Sequence, residues 1–326
     1  MLPSLPDVLA TARVVDLPLV TRFRGLTRRE AVLFEGPAGW SEFSPFVEYA
    51  DEEAAAWLAA ALEFGWQETP TLLRSTVPVN ATVPAIDAAE VPAMLARFPG
   101  CRTAKVKVAD PGQTLAEDVE RVRAVRRALG AEGRIRIDAN GLWNVDEAEH
   151  AIHAMAEFDL EYVEQPCASI EELAEIRRRT GYLDLPIAAD ESVRKESDPL
   201  RVSRAGAADL LVVKVQPLGG IRAVLSMQAE TGLPLIVSSA LDTSVGISMG
   251  AFLAGALPEL DYDCGLATAS LLAADVTHNP VLPVGGSIRI RRVVPDADLL
   301  DSYAASSERR DWWHARITRT HALLAG

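Results

Sequence analysis

Three acids recur in phase through the middle of the chain: Asp138 in RIDAN, Glu164 in YVEQP and Asp190 in AADES, at intervals of 26 residues. Lys105 and Lys107 in KVKV precede them, and Lys214 in VVKVQ follows. Carboxylates are hard oxygen donors, and three around one point, with waters or substrate completing an octahedron, describe a Mg2+ site. A lone Asp or Glu is ordinarily a surface or salt-bridged acid. Three in phase, flanked by lysine-bearing segments, point to a site.

Lys105 and Lys107 alternate with Val106 and Val108, so in a strand both ammonium groups share one face. Like charges side by side are costly, and the cost has a use. A lysine acting as a base near pH 7 must have its pKa brought from about 10.4 to roughly 7 to 8, which destabilises the ammonium by about 4 kcal/mol. A second ammonium and a nearby divalent cation both push that way. Lys105 is therefore expected to help Lys107 lose its proton. Lys214 is expected across the mouth from Lys107, with the three carboxylate strands between. Two lysines on opposite sides of a metal-held carboxylate suit abstraction of the proton α to it, the metal stabilising the charge that develops.

The elements that must position these groups repeat. Apolar or β-branched runs begin at residues 77, 103, 134, 160, 185, 209, 233 and 260, spaced 24 to 31 residues apart, room for one strand, one helix and two short loops. Between them, Thr114 to Glu117, Asn144 to Glu147 and Ser169 to Glu172 read as helix-start capping boxes, and Gly130 as a stop. Eight βα steps indicate a (β/α)8-type barrel. An open doubly wound sheet is the alternative, weakened because no Gly-x-Gly-x-x-Gly follows the first strand and no Walker A loop occurs. Reactive groups of such barrels sit at strand C-terminal ends, where Asn140, Ser238 and Ser239 also fall. Residues 1–76 read instead as an α+β module of three short strands and an alanine-rich helix. Residues 77–285 form the barrel segment, and 286–326 lie outside the repeat, with DWWHAR expected to be buried aromatic packing.

Composition excludes several classes. A formal net charge of -14 without a basic run disfavours nucleic acid. No apolar stretch approaches the roughly 18 residues of a membrane span, and MLPSLPDVLA lacks a secretory signal's features. Three widely spaced cysteines suit neither a disulfide frame nor a zinc cluster, so a reduced cytoplasm is expected. DANGLWNVDE places Gly141 and Leu142 wrongly for a calcium loop, and His150 and His153 read as exposed helix residues. No Gly-x-Ser-x-Gly elbow supports a serine hydrolase.

Taken together, KVKV, RIDANGLW, EYVEQP, IAADES and VVKVQPLGG resemble the successive strand-end motifs of the muconate-lactonising subgroup of the enolase superfamily, over nearly the whole chain. Sites of that superfamily pair a lysine or histidine base with one or two Mg2+ ions. The resemblance implies an α+β capping domain, completed by C-terminal residues, over a (β/α)7β modified TIM barrel. It implies Asp138, Glu164 and Asp190 as ligands of Mg2+, with Mn2+ a possible substitute, Lys107 as base and Lys214 opposite. The substrate is expected to be a small carboxylate, with no obligate protein partner. All five groups are present, which argues against a non-catalytic binding barrel. Within the subgroup, SSALDTSVGI and CGLATASLLAADV most resemble its dehydrating members, and that resemblance implies syn elimination of water from a succinyl-hydroxycyclohexadiene carboxylate in menaquinone synthesis. Racemisation of N-succinylamino acids with the same lysines, or an enzyme doing both reactions, is the alternative. Relatives that hold a substrate amine carry Asp-x-Asp on the last strand, whereas here Asp263 is followed by Cys264 and Gly265. Gly265 is thus a candidate substrate contact. Arg136 is a candidate for orienting substrate or ligands, with an internal salt bridge as the alternative. Residues 20–30 are a candidate lid bending at Gly25, with a solvated loop as the alternative. Ser41 stands where relatives commonly have glycine, and would disturb the cap if that turn needs a positive φ.

Overall fold

The computed structural model describes residues 2–194 and 200–326. The chain opens with α1 (Leu5–Thr11) and a sheet of β1 (Arg13–Phe23), β2 (Leu26–Gly36) and β3 (Gly39–Phe43), paired antiparallel in that order. Helix α2 (Asp51–Trp66) lies against it. Its alanines and Trp57, Leu58 and Phe64 form an apolar face, and Asp51, Glu52 and Glu53 suit its positive N-terminal end.

Next come β4 (Thr76–Pro78), β5 (Ala81–Val83), α3 (Val91–Leu95), β6 (Thr103–Lys107), α4 (Leu115–Leu129), β7 (Arg134–Asp138) and α5 (Val145–Met155). They are followed by β8 (Leu160–Glu164), α6 (Ile170–Thr180), β9 (Ile187–Ala189), α7 (Glu191–Arg194), α8 (Arg201–Arg204), β10 (Leu210–Val213), α9 (Ile221–Thr231) and β11 (Leu235–Val237). The three capping boxes form as expected at α4, α5 and α6. Among the described residues the parallel sheet runs β5-β6-β7-β8-β9-β10-β11. After α10 (Ser244–Ala256), Cys264 and Gly265 close the ring: Cys264 bridges Val79, and Gly265 bridges Ser238. The Gly265 amide donates to Val237 O at 2.8 Å and Asn80 N to Cys264 O at 3.0 Å. This is the expected modified TIM barrel of (β/α)7β form under an α+β cap.

Two strand expectations need correction. The run at 77–83 is two strands: β4 leaves the barrel to pair antiparallel with β12 (Ser287–Arg289), and only β5 joins the ring. The run at 260 contributes two bridging residues rather than a strand. Last come α11 (Ala297–Ser302) and α12 (Ser307–Ala325), and α12 packs on α2. Trp313 is wholly buried, edge-on to Phe43 at 5.7 Å, and donates to Glu30 Oε2 at 2.7 Å. The aromatic-packing expectation for DWWHAR thus holds at Trp313.

Among the described residues three apolar clusters follow from these layers. One joins the barrel strands and their helices to the cap through Val15, Leu17, Leu33 and Phe64, one lies inside the cap, and a small one inside the barrel (Tyr162, Ala188, Leu210, Val212, Ile236). Strand alternation puts Glu164, Asp190, Lys214 and Ser238 two residues beyond members of that third cluster, on the same face and nearer the strand ends. The barrel floor is apolar and its mouth carries the chemistry.

Candidate active site

Lys105 and Lys107 share the inward face of β6, and the register sets Lys107 beside Asp138 and Asp138 beside Glu164. Lys107 Nζ donates to Asp138 Oδ2 at 2.5 Å and to Asn140 Oδ1 at 2.8 Å. Lys105 Nζ donates to both oxygens of Glu164, at 2.8 and 3.0 Å, and lies 3.3 Å from Asp138 Oδ2. Across the mouth Lys214 donates to Asp190 Oδ2, and Arg194 Nε donates to Asp190 Oδ1 at 3.2 Å. The strand order places β7, β8 and β9 between the two lysine-bearing strands, as expected.

Burial and proximity set the charges apart. Burial, and after it the Lys105 ammonium, holds Lys107 below its ordinary pKa against the pull of Asp138. Lys105 moves oppositely: burial disfavours its charge, but Glu164 and Asp138 outweigh that and raise it well above the usual lysine value. One lysine is held as a cation beside one whose proton is loosened. Glu164 is pushed up to about 7 by burial and then by Asp138. Burial opposes the charges of Asp138 and Asp190 as well, yet Lys107 and Lys105 hold Asp138 low, and Lys214 and Arg194 hold Asp190 low.

Among the described residues no three acidic, His or Cys groups stand close enough to hold a metal ion as they are. The lysines stand between the carboxylates and neutralise them, because buried carboxylates require a cation within reach. The donor set still suits a hard divalent ion: the oxygens are carboxylate, and Glu191 Oε2 is buried without a hydrogen-bond partner among the described residues. Glu191 Oε1 accepts from Asn140 Nδ2 at 3.2 Å.

A chamber with room for about 30 Å3 is lined by Lys105, Lys107, Asp138, Asn140, Asp190, Lys214, Ser238, Ser239 and Gly265. Gly265 brings bare backbone to the wall, where a Cβ would stand 2.5 Å from Ser238 Oγ. Ser239 Oγ donates to Gly265 O at 2.6 Å. Asp263 does not reach this chamber. It accepts from Thr103 Oγ1 at 2.5 Å and Arg134 Nη2 at 2.8 Å, toward the opposite end of the strands.

Arg136 is likewise not in the chamber wall. It lies one inward step below Asp138, donating to Glu161 Oε2 and, at 2.6 Å, to Asp263 O, with its guanidinium 4.9 Å from the Tyr162 ring centre. Alternation assigned its face correctly, but depth along the barrel separates it from the mouth, and the internal salt bridge is the reading the geometry supports.

Residues 20–30 form a hairpin rather than a loop. Arg24 (φ 49) and Gly25 (φ 80) make a two-residue turn with both φ positive, a conformation glycine adopts without strain. Its tip brings Phe23 and Arg24 to the chamber, Arg24 lying 4.6 Å from the Phe46 ring centre. Beyond them a cavity of about 260 Å3 opens, and Phe23, Arg24, Lys107 and Asn140 line both spaces. Ser41 needs no special backbone: it lies inside β3 opposite Phe34, and Gly39 (φ +123) takes the turn. His150 and His153 are exposed on α5. Sequence reasoning reached Phe23 and Arg24 only as part of the candidate lid at 20–30 and missed Phe46; the docked cap brings all three to the barrel. It also missed Arg194, whose signal was a cation one helical turn beyond Asp190.

Residues 87–297 match the family described as enolase C-terminal domain-like, and residues 14–65 match enolase N-terminal domain-like. The o-succinylbenzoate synthase of Mycolicibacterium smegmatis is 54% identical over 323 residues, covering 99% of this chain and 98% of that protein. The o-succinylbenzoate synthase of Mycobacterium tuberculosis is 53% identical over 325 residues, 99% and 98% of the two chains. Among solved structures, muconate lactonizing enzyme from Pseudomonas putida superposes with a TM-score of 0.75 at 20% identity, over 90% of this chain and 98% of its own. N-succinyl Arg/Lys racemase from Bacillus cereus gives 0.76 at 20% identity, over 90% and 97%. These structures share the fold, whereas the full-length relatives above half identity share the sequence throughout, so the chain belongs to the enolase superfamily and, within it, to the o-succinylbenzoate synthase family.

Proposed function

We propose that the protein catalyses the Mg2+-dependent syn dehydration of 2-succinyl-6-hydroxy-2,4-cyclohexadiene-1-carboxylate to 2-succinylbenzoate, a step of menaquinone biosynthesis. The observation that carries this reading is the pair of opposed lysines around buried carboxylates, in a chamber whose last-strand wall offers backbone at Gly265 instead of an acid for a substrate amine. Identity to the synthases of two mycobacterial relatives supports the substrate assignment.

Asp138, Glu164 and Asp190 would hold the Mg2+. When bound, it would polarise the substrate carboxylate and favour the negative charge that builds there. Lys107 Nζ takes the proton from the ring carbon bearing the carboxylate, then returns it to the hydroxyl leaving from the same face. The C–H and C–O bonds break, water departs and the ring becomes aromatic. Lys105 stays an ammonium and keeps Lys107 poised to lose its proton. Lys214, on the opposite side, offsets the developing charge as a cation near the ring face. Asn140 accepts from Lys107 and orients it. Arg24 supplies a cation on the cap side suited to the substrate's second carboxylate. The chamber continues past Phe23, Arg24, Lys107 and Asn140 into the cavity of about 260 Å3, which offers a route to Lys107 under the hairpin tip.

The test is a steady-state assay of the purified protein with the diene carboxylate and Mg2+, run beside racemisation of N-succinylamino acids. Rapid metal-dependent loss of the diene chromophore, reduced at least about 10^3-fold in Lys107→Ala, supports the proposal. Racemisation with little dehydration would keep the lysines and overturn the substrate.

A further inference from the structure

We infer that Arg194 is a positioning residue that couples the seating of the cap to the orientation of Asp190. The inference rests on the reading of Asp190 as a metal ligand. Asp190 stands just past a three-residue strand and immediately before α7, so its side chain is oriented by the groups it meets. Its Oδ2 accepts from Lys214 and its Oδ1 from Arg194.

Arg194 is buried, its side chain 3% exposed, and every arm of its guanidinium is engaged. Nε donates to Asp190 Oδ1, and Nη2 donates to Glu191 Oε1 at 2.9 Å. Nη1 reaches into the cap, donating to the Tyr49 hydroxyl at 3.3 Å and lying 3.6 Å from Glu53 Oε1 in the first turn of α2. Tyr49 in turn packs edge-on against Phe46 at 5.4 Å and Trp57 at 6.1 Å, both in the cap core.

A guanidinium is planar and its donors point in fixed directions, so a partner that fixes one arm restricts the others. The Tyr49 hydroxyl and the Glu53 carboxylate on the cap side restrict Nη1, and through the rigid plane they bias the direction in which Nε meets Asp190. Lysine could keep the charge but would lose the fork. Among the described residues an Asp190 without Arg194 would keep the Lys214 hydrogen bond on Oδ2 and lose the one that holds Oδ1, so the carboxylate could turn about its Cβ–Cγ bond. A cap lifted off the barrel would have the same consequence, so Arg194 makes the site complete only under a seated cap.

The probe is Mn2+ binding to the full-length protein, read as free-ion EPR signal, with near-ultraviolet circular dichroism to verify folding. Arg194→Gln should weaken Mn2+ by about 10- to 100-fold, the usual effect of removing a partner that orients a metal ligand, and Arg194→Lys should recover only part of it. The decisive variant is the cap-side pair Tyr49→Phe with Glu53→Gln, which leaves Asp190, Glu191, Lys214 and Arg194 unchanged. It should weaken Mn2+ by roughly 3- to 10-fold, since a purely local role for Arg194 would not respond to the cap. Wild-type affinity in that folded double variant overturns the coupling. A wild-type protein that binds no Mn2+ sinks the metal reading instead, and the two failures are told apart by the first titration.

Discussion

Glu42 should make the cap's hold on the barrel depend on pH. It is buried in β3, yet its Oε2 accepts from Thr243 N at 3.1 Å, Thr243 Oγ1 at 2.5 Å and Gly246 N at 3.0 Å, at the N-terminal end of α10. Its Oε1 accepts from Ser44 Oγ at 2.6 Å. Burial first, and then buried Asp242, push its carboxyl up from 4.5 to about 7, against the help of Ser44, Thr243 and Arg29. Below pH 4.5 the group is protonated whether the chain is folded or not. Between there and about 7 the folded protein holds a proton the unfolded chain has released, so stability falls as pH rises. The full gap is worth roughly 3 kcal/mol at 1.36 kcal/mol per pH unit. Glu42→Gln keeps an oxygen for the three α10 donors and can turn its amide toward Ser44 Oγ. Urea unfolding of both proteins at pH 5, 6, 7 and 8 should therefore show the Gln variant gaining on the wild type by about 2.5 kcal/mol across that range, since part of the gap is already open at pH 5. A difference independent of pH, or one of opposite sign, would show that the α10 amides and their helix end outweigh burial, and the reasoning would be wrong.

Other perturbations test the chamber and the cap. Gly265→Ala places a methyl 2.5 Å from Ser238 Oγ, so kcat/KM for the diene carboxylate, measured where the variant is folded, should fall by at least about 10-fold, and overpacking should cost about 1 to 3 kcal/mol of stability. Arg24→Ala should raise KM by roughly 10-fold and leave kcat nearly unchanged, because the cation acts on the substrate's remote end. Steady-state kinetics check both. Trp313→Ala empties a fully buried site between α12 and β3 and should cost about 3 to 5 kcal/mol in urea unfolding.

Much of the site was legible in the sequence because strand alternation and βα spacing are local properties. A period of two put Lys105 with Lys107, and Asp138, Glu164, Asp190 and Lys214 at matching strand ends, and the capping boxes marked where α4, α5 and α6 begin. Alternation assigns a face but not a depth. Arg136 shares the face of Asp138 and lies a step too low, held by Glu161 and Asp263. Nor does it decide which sheet a short run joins: β4 turns away to β12, and two residues, Cys264 and Gly265, suffice to close the ring. The contacts that assemble the mouth join residues far apart in the chain, Arg194 with Tyr49, Glu42 with Thr243, Lys105 with Glu164. Local pattern sets which groups each strand offers; only the packed cap and the barrel register decide which of them meet.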